Sequence, residues 1–277
     1  MPRSSEPDGE LLPPQYGEVA AHPIPDYERE MSRPNSRDRG WNILVTPGTY
    51  LLLAINCAVF LWMVLHGVSP SEPTPEQLLH FGAAMPALIL HGQWYRLLTA
   101  TFVHVGLLHI ATNMWCLWNL GLLGEPLLGP VGLVAVYMLT GVAGNLLSLG
   151  VSVVFRDNSV GAGASGAVFG IAGILIVLLS NRKLPIPWPE LQRLRRSVIW
   201  FAAINLVIGG ATLVLPLGIR IDNLAHLGGF LSGLALGVPL LPRMTSGRIR
   251  YLQRQKITFA GAAFFLALFG YWVANLR

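Results

Sequence analysis

Seven long runs without a charged residue alternate with polar or basic segments along this chain. Each run is close to, or longer than, the roughly 20 residues that an α-helix needs to cross a bilayer. The runs cover residues 42–65, 97–124, 126–155, 158–181, 197–219, 223–242 and 257–276. The pattern therefore predicts an all-α, polytopic membrane protein with seven transmembrane helices.

An eighth uncharged segment covers residues 77–95 but contains Gly82, Pro86, His91 and Gln93, which make its transfer into lipid unfavourable. If it does not span, the 19 Lys and Arg residues divide 15 to 4 between the two faces of the membrane. Because basic loops stay in the cytoplasm, this division places the amino terminus in the cytoplasm and the carboxyl terminus outside. We therefore expect residues 77–95 to form an outer-face loop with interfacial helices.

Composition separates the ends of the chain from its centre. Only 12% of the residues are charged, against about 25% in a typical soluble domain. Residues 1–40 are rich in proline and acidic residues and are expected to be a disordered cytoplasmic segment without a secretory signal. We expect a six-helix core at 41–242, a basic cytoplasmic loop at 243–256 and an additional transmembrane helix at 257–277.

The net charge of +5 indicates contact with anionic lipids and not with nucleic acid.

Polar side chains inside the predicted spans are the candidates for chemistry, because burying them in a membrane is costly. Helices two, four and six run in the same direction, so His109 and Asn113, Ser165, and His226 are expected at a similar depth. A serine hydroxyl becomes a nucleophile when a base such as histidine accepts its proton. Asp222 lies one turn before His226 and is expected to point to the surface, so the pattern predicts a Ser165–His226 dyad without a carboxylate.

The surrounding residues fit this interpretation. His109, Asn113 and the Ser165 backbone N–H are suitable donors to an oxyanion, and Phe169, one turn after Ser165, is expected to lie against the imidazole of His226. Small residues at regular spacing would let helices four and six touch. They are Gly166, Gly170 and Gly173 on helix four and Gly229, Gly233 and Gly237 on helix six. No cofactor or metal site is expected, and Cys57 and Cys116 are interpreted as packing residues.

Each signal alone also has a structural explanation. A serine in a glycine-rich helix serves close packing, His104 and His109 can be buried histidines with satisfied hydrogen bonds, and Asn113 can bond to a neighbouring helix. The shared depth of the four candidate groups favours chemistry over these alternatives. A transporter is disfavoured, because helices four and six offer mainly Gly, Ala and Leu in their cytoplasmic halves.

Three segments of the chain resemble the rhomboid family of intramembrane serine proteases. They are WYRLLTATFVHVGLLHIATNMWCLW (94–118), GASG (163–166) and AHLGG (225–229), with Glu125 following helix two. The resemblance covers about residues 50–242, and the last helix is similar to the six-plus-one arrangement of that family.

The resemblance implies that Ser165 is the nucleophile and His226 the general base and later general acid. It also implies an oxyanion site formed by His109 and Asn113 and shaped by the loop at Gly163. The resemblance implies supporting roles for Trp94 and Arg96, which lie in the first outer loop, and for His104 and Glu125. It implies the same for Phe169, at a position where some members of the family have tyrosine.

The implied activity is cleavage of transmembrane segments near the outer face, in what we expect to be a bacterial inner membrane. The expected partners are transmembrane protein substrates and lipids, and the oligomeric state does not follow from the sequence. The alternative from another class is a non-catalytic membrane chaperone or adaptor that binds client helices in the same groove. The presence of both Ser165 and His226 argues against it.

Overall fold

A computed structural model of the protein describes residues 46–214, 221–241 and 247–276. Within these ranges the chain forms ten α-helices, and the one β-type contact is an isolated bridge between Ala84 and Gly161. The helices are α1 (Pro47–Leu65), α2 (Pro75–His80), α3 (Pro86–Leu90), α4 (Arg96–Thr99), α5 (Leu107–Leu128), α6 (Pro130–Phe155), α7 (Ser165–Leu178), α8 (Trp188–Val214), α9 (Asn223–Gly237) and α10 (Arg248–Ala274). The expectation for residues 1–40 falls outside the described residues.

Seven of these helices coincide with the seven charge-free runs. Four of them, α1, α6, α8 and α10, are long and apolar enough to cross a membrane. Helices α7 and α9 are apolar but have only 14 and 15 residues, and α5 carries polar side chains along its length. The architecture is that of the predicted all-α, polytopic membrane protein.

Several helix boundaries differ from the predicted ones. Helix α5 begins ten residues into its run, after Gly106 at φ +119°, so His104 lies in a turn and not on the helix. Helix α7 begins at Ser165 and not near residue 158, because Gly163 at φ +134° holds the preceding segment out of helical conformation. Helix α10 begins at Arg248, within the predicted basic loop, because Arg, Gln and Lys are strong helix formers.

The segment 77–95 does not form a spanning helix. It contains α2 and α3, of six and five residues, joined by turns. Arg96 ties these pieces together, since its guanidinium donates to the carbonyl oxygens of Leu79 (2.8 Å) and Ala83 (2.9 Å) and to Gln93 Oε1 (2.6 Å). Three hydrogen bonds from Arg96 therefore hold this segment together.

Helices α6, α7 and α9 form the centre of the bundle and touch through glycine. A Cβ added to Gly229 would overlap the carbonyl oxygen of Gly166, and one added to Gly233 would overlap that of Gly170. A Cβ on Gly144 of α6 would overlap the carbonyl oxygen of Ala225 on α9. Close backbone contact along the predicted stripe of small residues is therefore confirmed.

Glu125 is buried near the end of α5 and caps the first turn of α1. Its carboxylate accepts hydrogen bonds from Gly48 N (2.8 Å), Thr49 N (2.7 Å) and Thr49 Oγ1 (2.7 Å). A negative charge at a helix amino terminus satisfies orphan N–H groups and complements the helix dipole. Glu125 lies 16 residues after His109 on the same helix, about 24 Å along the axis, so it supports the fold and is remote from the candidate site.

Candidate functional site

Ser165 is the first residue of α7 and is partly exposed. The loop before it is held in place by Gly163 N, which donates to the carbonyl oxygen of Ala100 at 2.9 Å, and by the bridge between Ala84 and Gly161. The first N–H groups of an α-helix have no acceptor within the helix and carry the positive end of its dipole. The serine hydroxyl therefore lies beside backbone donors suited to a developing negative charge.

His226 lies in the first turn of α9, where it is buried and stacked on an aromatic ring. Its imidazole is parallel to the Phe169 ring, with centroids 4.4 Å apart and planes at 14°, as the sequence spacing predicts. Within the described residues its Nδ1 atom has no hydrogen-bond partner. Stacking, and not a hydrogen bond to a carboxylate, therefore holds the orientation of this ring.

Asp222 caps α9, and its carbonyl oxygen accepts a hydrogen bond from His226 N at 3.2 Å, but within the described residues its carboxylate does not bond to the His226 imidazole. Its carboxylate accepts from Leu224 N at 3.1 Å and Ala225 N at 2.9 Å, and the Ser148 hydroxyl donates to it at 2.6 Å. One carboxylate oxygen of Asp222 thus bonds to the start of α9, and the other bonds to Ser148 on α6, so this carboxylate is engaged by both helices.

Helices α7 and α9 touch at the residues adjacent to Ser165 and His226 in the chain. Gly166 follows the serine and Ala225 precedes the histidine, and a Cβ on Gly166 would lie 3.2 Å from the Ala225 carbonyl oxygen. The two side chains do not hydrogen-bond to each other within the described structure. Catalytic hydrogen bonds are often long without substrate and tighten in the reacting complex, so adjacency is the relevant observation.

His109 faces the loop that precedes Ser165. Its Nδ1 atom accepts from Val105 N at 3.3 Å, so in the neutral ring the proton resides on Nε2. A Cβ on Gly163 would lie 2.7 Å from His109 Cε1 and 3.0 Å from Nε2. An Nε2–H donor is thus directed at the backbone two residues before the serine, where only glycine leaves room for it.

Asn113 lies one turn further along α5 on the same face as His109. Its Nδ2 atom donates to the His109 carbonyl oxygen at 2.9 Å, which leaves one amide hydrogen free for another acceptor. Its side chain is almost fully buried. The sequence predicts His109 and Asn113 as side-chain donors. His109 contacts the loop before Ser165 directly, whereas the Asn113 side chain is held by its hydrogen bond to the backbone of α5.

His104 is fully buried in the turn before α5 and supports the ring of His109. The two ring centroids are 5.4 Å apart at an interplanar angle of 60°, and His104 Nδ1 lies 3.2 Å from the Phe102 carbonyl oxygen. His104 therefore acts as a packing partner of His109.

Trp94 and Arg96 lie in the loop that carries the Ala100 carbonyl and are not next to Ser165. Trp94 packs on α10, where a Cβ on Gly270 would lie 3.6 Å from Trp94 Cζ3. Asn145 on α6 fixes this segment by donating to the Leu97 carbonyl oxygen at 2.8 Å. Its signal in the sequence is an amide side chain inside an apolar run.

The described residues contain no cluster of three or more His, Cys, Asp or Glu side chains arranged to hold a metal ion.

Comparisons with known proteins point to one family. A family model described as the rhomboid domain matches residues 91–243, a range that contains every residue of the candidate site. The rhomboid protease GluP of Bacillus subtilis (strain 168) is 36% identical over 196 residues, covering 69% of this chain and 35% of that protein. Rhomboid-like protease 2 of Toxoplasma gondii is 32% identical over 207 residues, covering 72% of this chain and 69% of that protein. The rhomboid protease AarA of Providencia stuartii is 30% identical over 204 residues, covering 69% and 71%. This chain thus spans about a third of the Bacillus protein and about two thirds of the other two.

Proposed function

Because this chain belongs to the rhomboid family, we propose that it is a serine endopeptidase that cleaves transmembrane segments of other membrane proteins. Ser165 is the proposed nucleophile and His226 its base. The observation that supports the proposal is the backbone contact between α7 and α9 at Gly166 and Ala225, the residues that follow Ser165 and precede His226 in the chain.

In the proposed reaction, His226 accepts the hydroxyl proton of Ser165 as the Oγ atom attacks the scissile carbonyl carbon. The resulting oxyanion accepts hydrogen bonds from the Ser165 N–H, His109 Nε2–H and Asn113 Nδ2–H. The C–N bond then breaks as His226 transfers its proton to the leaving amine, which leaves an acyl-enzyme. Water, deprotonated by His226, releases the second product and restores the serine.

Without a carboxylate, another group has to stabilise the transient imidazolium. The Phe169 ring is well placed for this, because it stacks on His226 at 4.4 Å and an aromatic face attracts a cation. The same contact limits rotation of the histidine. Phe169 is thus proposed to orient the base and to stabilise its charged form.

The finer features of the proposal concern the membrane. The distribution of basic residues favours an orientation with the amino terminus in the cytoplasm and the carboxyl terminus outside, and the similarity to the Bacillus and Providencia proteins supports a bacterial inner membrane. Ser165 then lies in the outer half of the bilayer, and cleavage occurs near the outer face. A helical substrate has its carbonyl groups hydrogen-bonded internally, so it has to unwind locally, which favours small or helix-breaking residues at the cleavage site.

Labelling of the detergent-solubilised protein with a fluorescent fluorophosphonate tests this proposal. We expect labelling of the wild type and of a matched control, Ser232→Ala, whose hydroxyl only bonds to the Gly229 carbonyl oxygen within α9. We expect none for Ser165→Ala or His226→Ala. Equal labelling of all four proteins would assign the signal to another site. An unlabelled wild type, under conditions that label an active relative, would favour the non-catalytic chaperone or adaptor.

A further inference from the structure

An apolar groove of about 520 Å³ lies between α6, α10 and the loop at residues 94–98. On α6 it is lined by Met138, Val142 and Leu146, whereas Gly144 on another face of that helix contacts α9. On α10 it extends from Ala263 to Ala274. The groove is therefore separated from the candidate active site by the thickness of one helix.

The groove has the depth of one membrane leaflet. Its path along α10 covers eleven residue steps, or about 16 Å, which is close to half of a hydrocarbon core about 30 Å thick. Helices α6 and α10 run parallel, since Gly132 adjoins Gln255 at one end and Gly150 adjoins Val273 at the other. The groove extends toward the end of α6 that contains Ser148, whose hydroxyl donates to Asp222, the residue that caps α9.

The two ends of the groove differ in polarity. The polar side-chain groups of its lining are the Trp94 indole and the Tyr271 hydroxyl, and both lie toward the carboxyl end of α10. Amphipathic aromatic side chains of this kind prefer the membrane–water interface. The remaining lining residues are apolar, and the lining contains no charged side chain. The polarity of the groove thus matches that of a lipid, whose polar headgroup would lie at the interface and whose apolar chain would lie below it.

The width of the groove excludes a helix as its occupant. A volume of about 520 Å³ spread over about 16 Å gives a cross-section of about 30 Å², or a width of about 6 Å, whereas an α-helix is about 10 Å wide. An extended peptide would leave its N–H and C=O groups without partners against an apolar wall, which is costly in lipid. An acyl chain has the required width and no polar groups.

We propose that this groove binds one acyl chain of a bilayer phospholipid. The bound chain packs against Trp94 and Leu97, whose segment holds the serine loop. Asn145 bonds to the Leu97 carbonyl, and the Ala100 carbonyl accepts from Gly163 N at 2.9 Å. The lipid therefore braces the outer side of the loop that positions Gly163. This inference does not depend on the proposed protease activity.

Native mass spectrometry with added palmitoyl-oleoyl phosphatidylglycerol tests the site directly. Ala267→Trp places an indole in the groove, and Leu268→Trp adds the same group to the neighbouring exposed position, which does not line it. We expect the wild type and Leu268→Trp to retain one phospholipid, and the occupancy in Ala267→Trp to fall at least tenfold. The lipid should also raise the melting temperature of the first two proteins but not of the third.

A second variant guards against misfolding of the first. Ala263→Trp blocks the apolar end of the same groove and should lower occupancy in the same way. Equal retention by the wild type and both groove variants would overturn the proposal, and so would an equal loss in Leu268→Trp. Preferential retention of a fatty acid or lysolipid, identified by its mass, would overturn the assignment to a bilayer phospholipid.

Discussion

Replacement of Gly229 by alanine should damage activity far more than stability. A Cβ at this position would overlap the carbonyl oxygen of Gly166, so α7 and α9 have to separate. Ser165 precedes Gly166, and His226 lies one turn before Gly229 on the facing helix. The substitution therefore acts on the distance between the proposed nucleophile and its base without removing either group.

The magnitude follows from the contact. Restoring an ordinary separation of 3.4–4 Å requires the backbones to move apart by more than about 1 Å, and a misplacement of about 1 Å already costs about 100-fold in rate. Overpacking costs about 1–3 kcal/mol, which the higher helix propensity of alanine offsets by about 1 kcal/mol. We expect a net loss of about 1 kcal/mol, or a decrease of about 2–4 °C in melting temperature.

The assay is the second-order rate of fluorophosphonate labelling, measured beside the melting temperature in the same detergent. Gly261→Ala is the matched control, because a Cβ there meets nothing within 4 Å, and both its labelling rate and its stability should stay at or above the wild-type values. A labelling rate for Gly229→Ala within threefold of wild type would refute the reasoning. A rate that fell only in proportion to the unfolded fraction would also refute it.

Three further substitutions separate the parts of the site. Gly163→Ala forces a side chain onto a residue at φ +134° and against the ring of His109, so labelling should fall about 100-fold while the circular-dichroism spectrum is unchanged. Phe169→Leu removes the stacking on His226, which is worth about 0.5–1.5 kcal/mol, so the labelling rate should fall up to about tenfold while the free energy of unfolding falls by about 1 kcal/mol. Glu125→Ala leaves three buried donors without an acceptor and should cost about 3 kcal/mol of stability in chemical unfolding, while the folded fraction labels at the normal rate. A slower rate for folded Glu125→Ala would show that the cap of α1 also shapes the site.

Much of the fold was predictable because the membrane imposes a local rule. The transfer of a residue into lipid depends mainly on its own side chain, so charge-free runs locate helices even without knowledge of their neighbours. The same rule failed at helix ends. Residues 100–106 and 158–164 are largely apolar but not helical, since glycine at positive φ and bonds such as Gly163 N to the Ala100 carbonyl define their paths.

The candidate site was predictable in composition but not in geometry. Helical spacing was enough to expect Phe169 against His226, and the structure has that stacking. Spacing did not indicate that Ser165 begins its helix, nor that Val105 selects the tautomer of His109. Those features depend on residues that meet only through turns and interhelical contacts.

The sequence by itself determined which segments enter the membrane, the polar residues they carry and the family to which they belong. Hydropathy and helical periodicity are additive over neighbouring residues, so one chain is enough to evaluate them. The tertiary structure decided the helix starts, the capping of α1 by Glu125, the role of Asn145 and the groove beside α10. These depend on pairs of residues such as Thr49 and Glu125, which are 76 positions apart and become neighbours only when the helices pack.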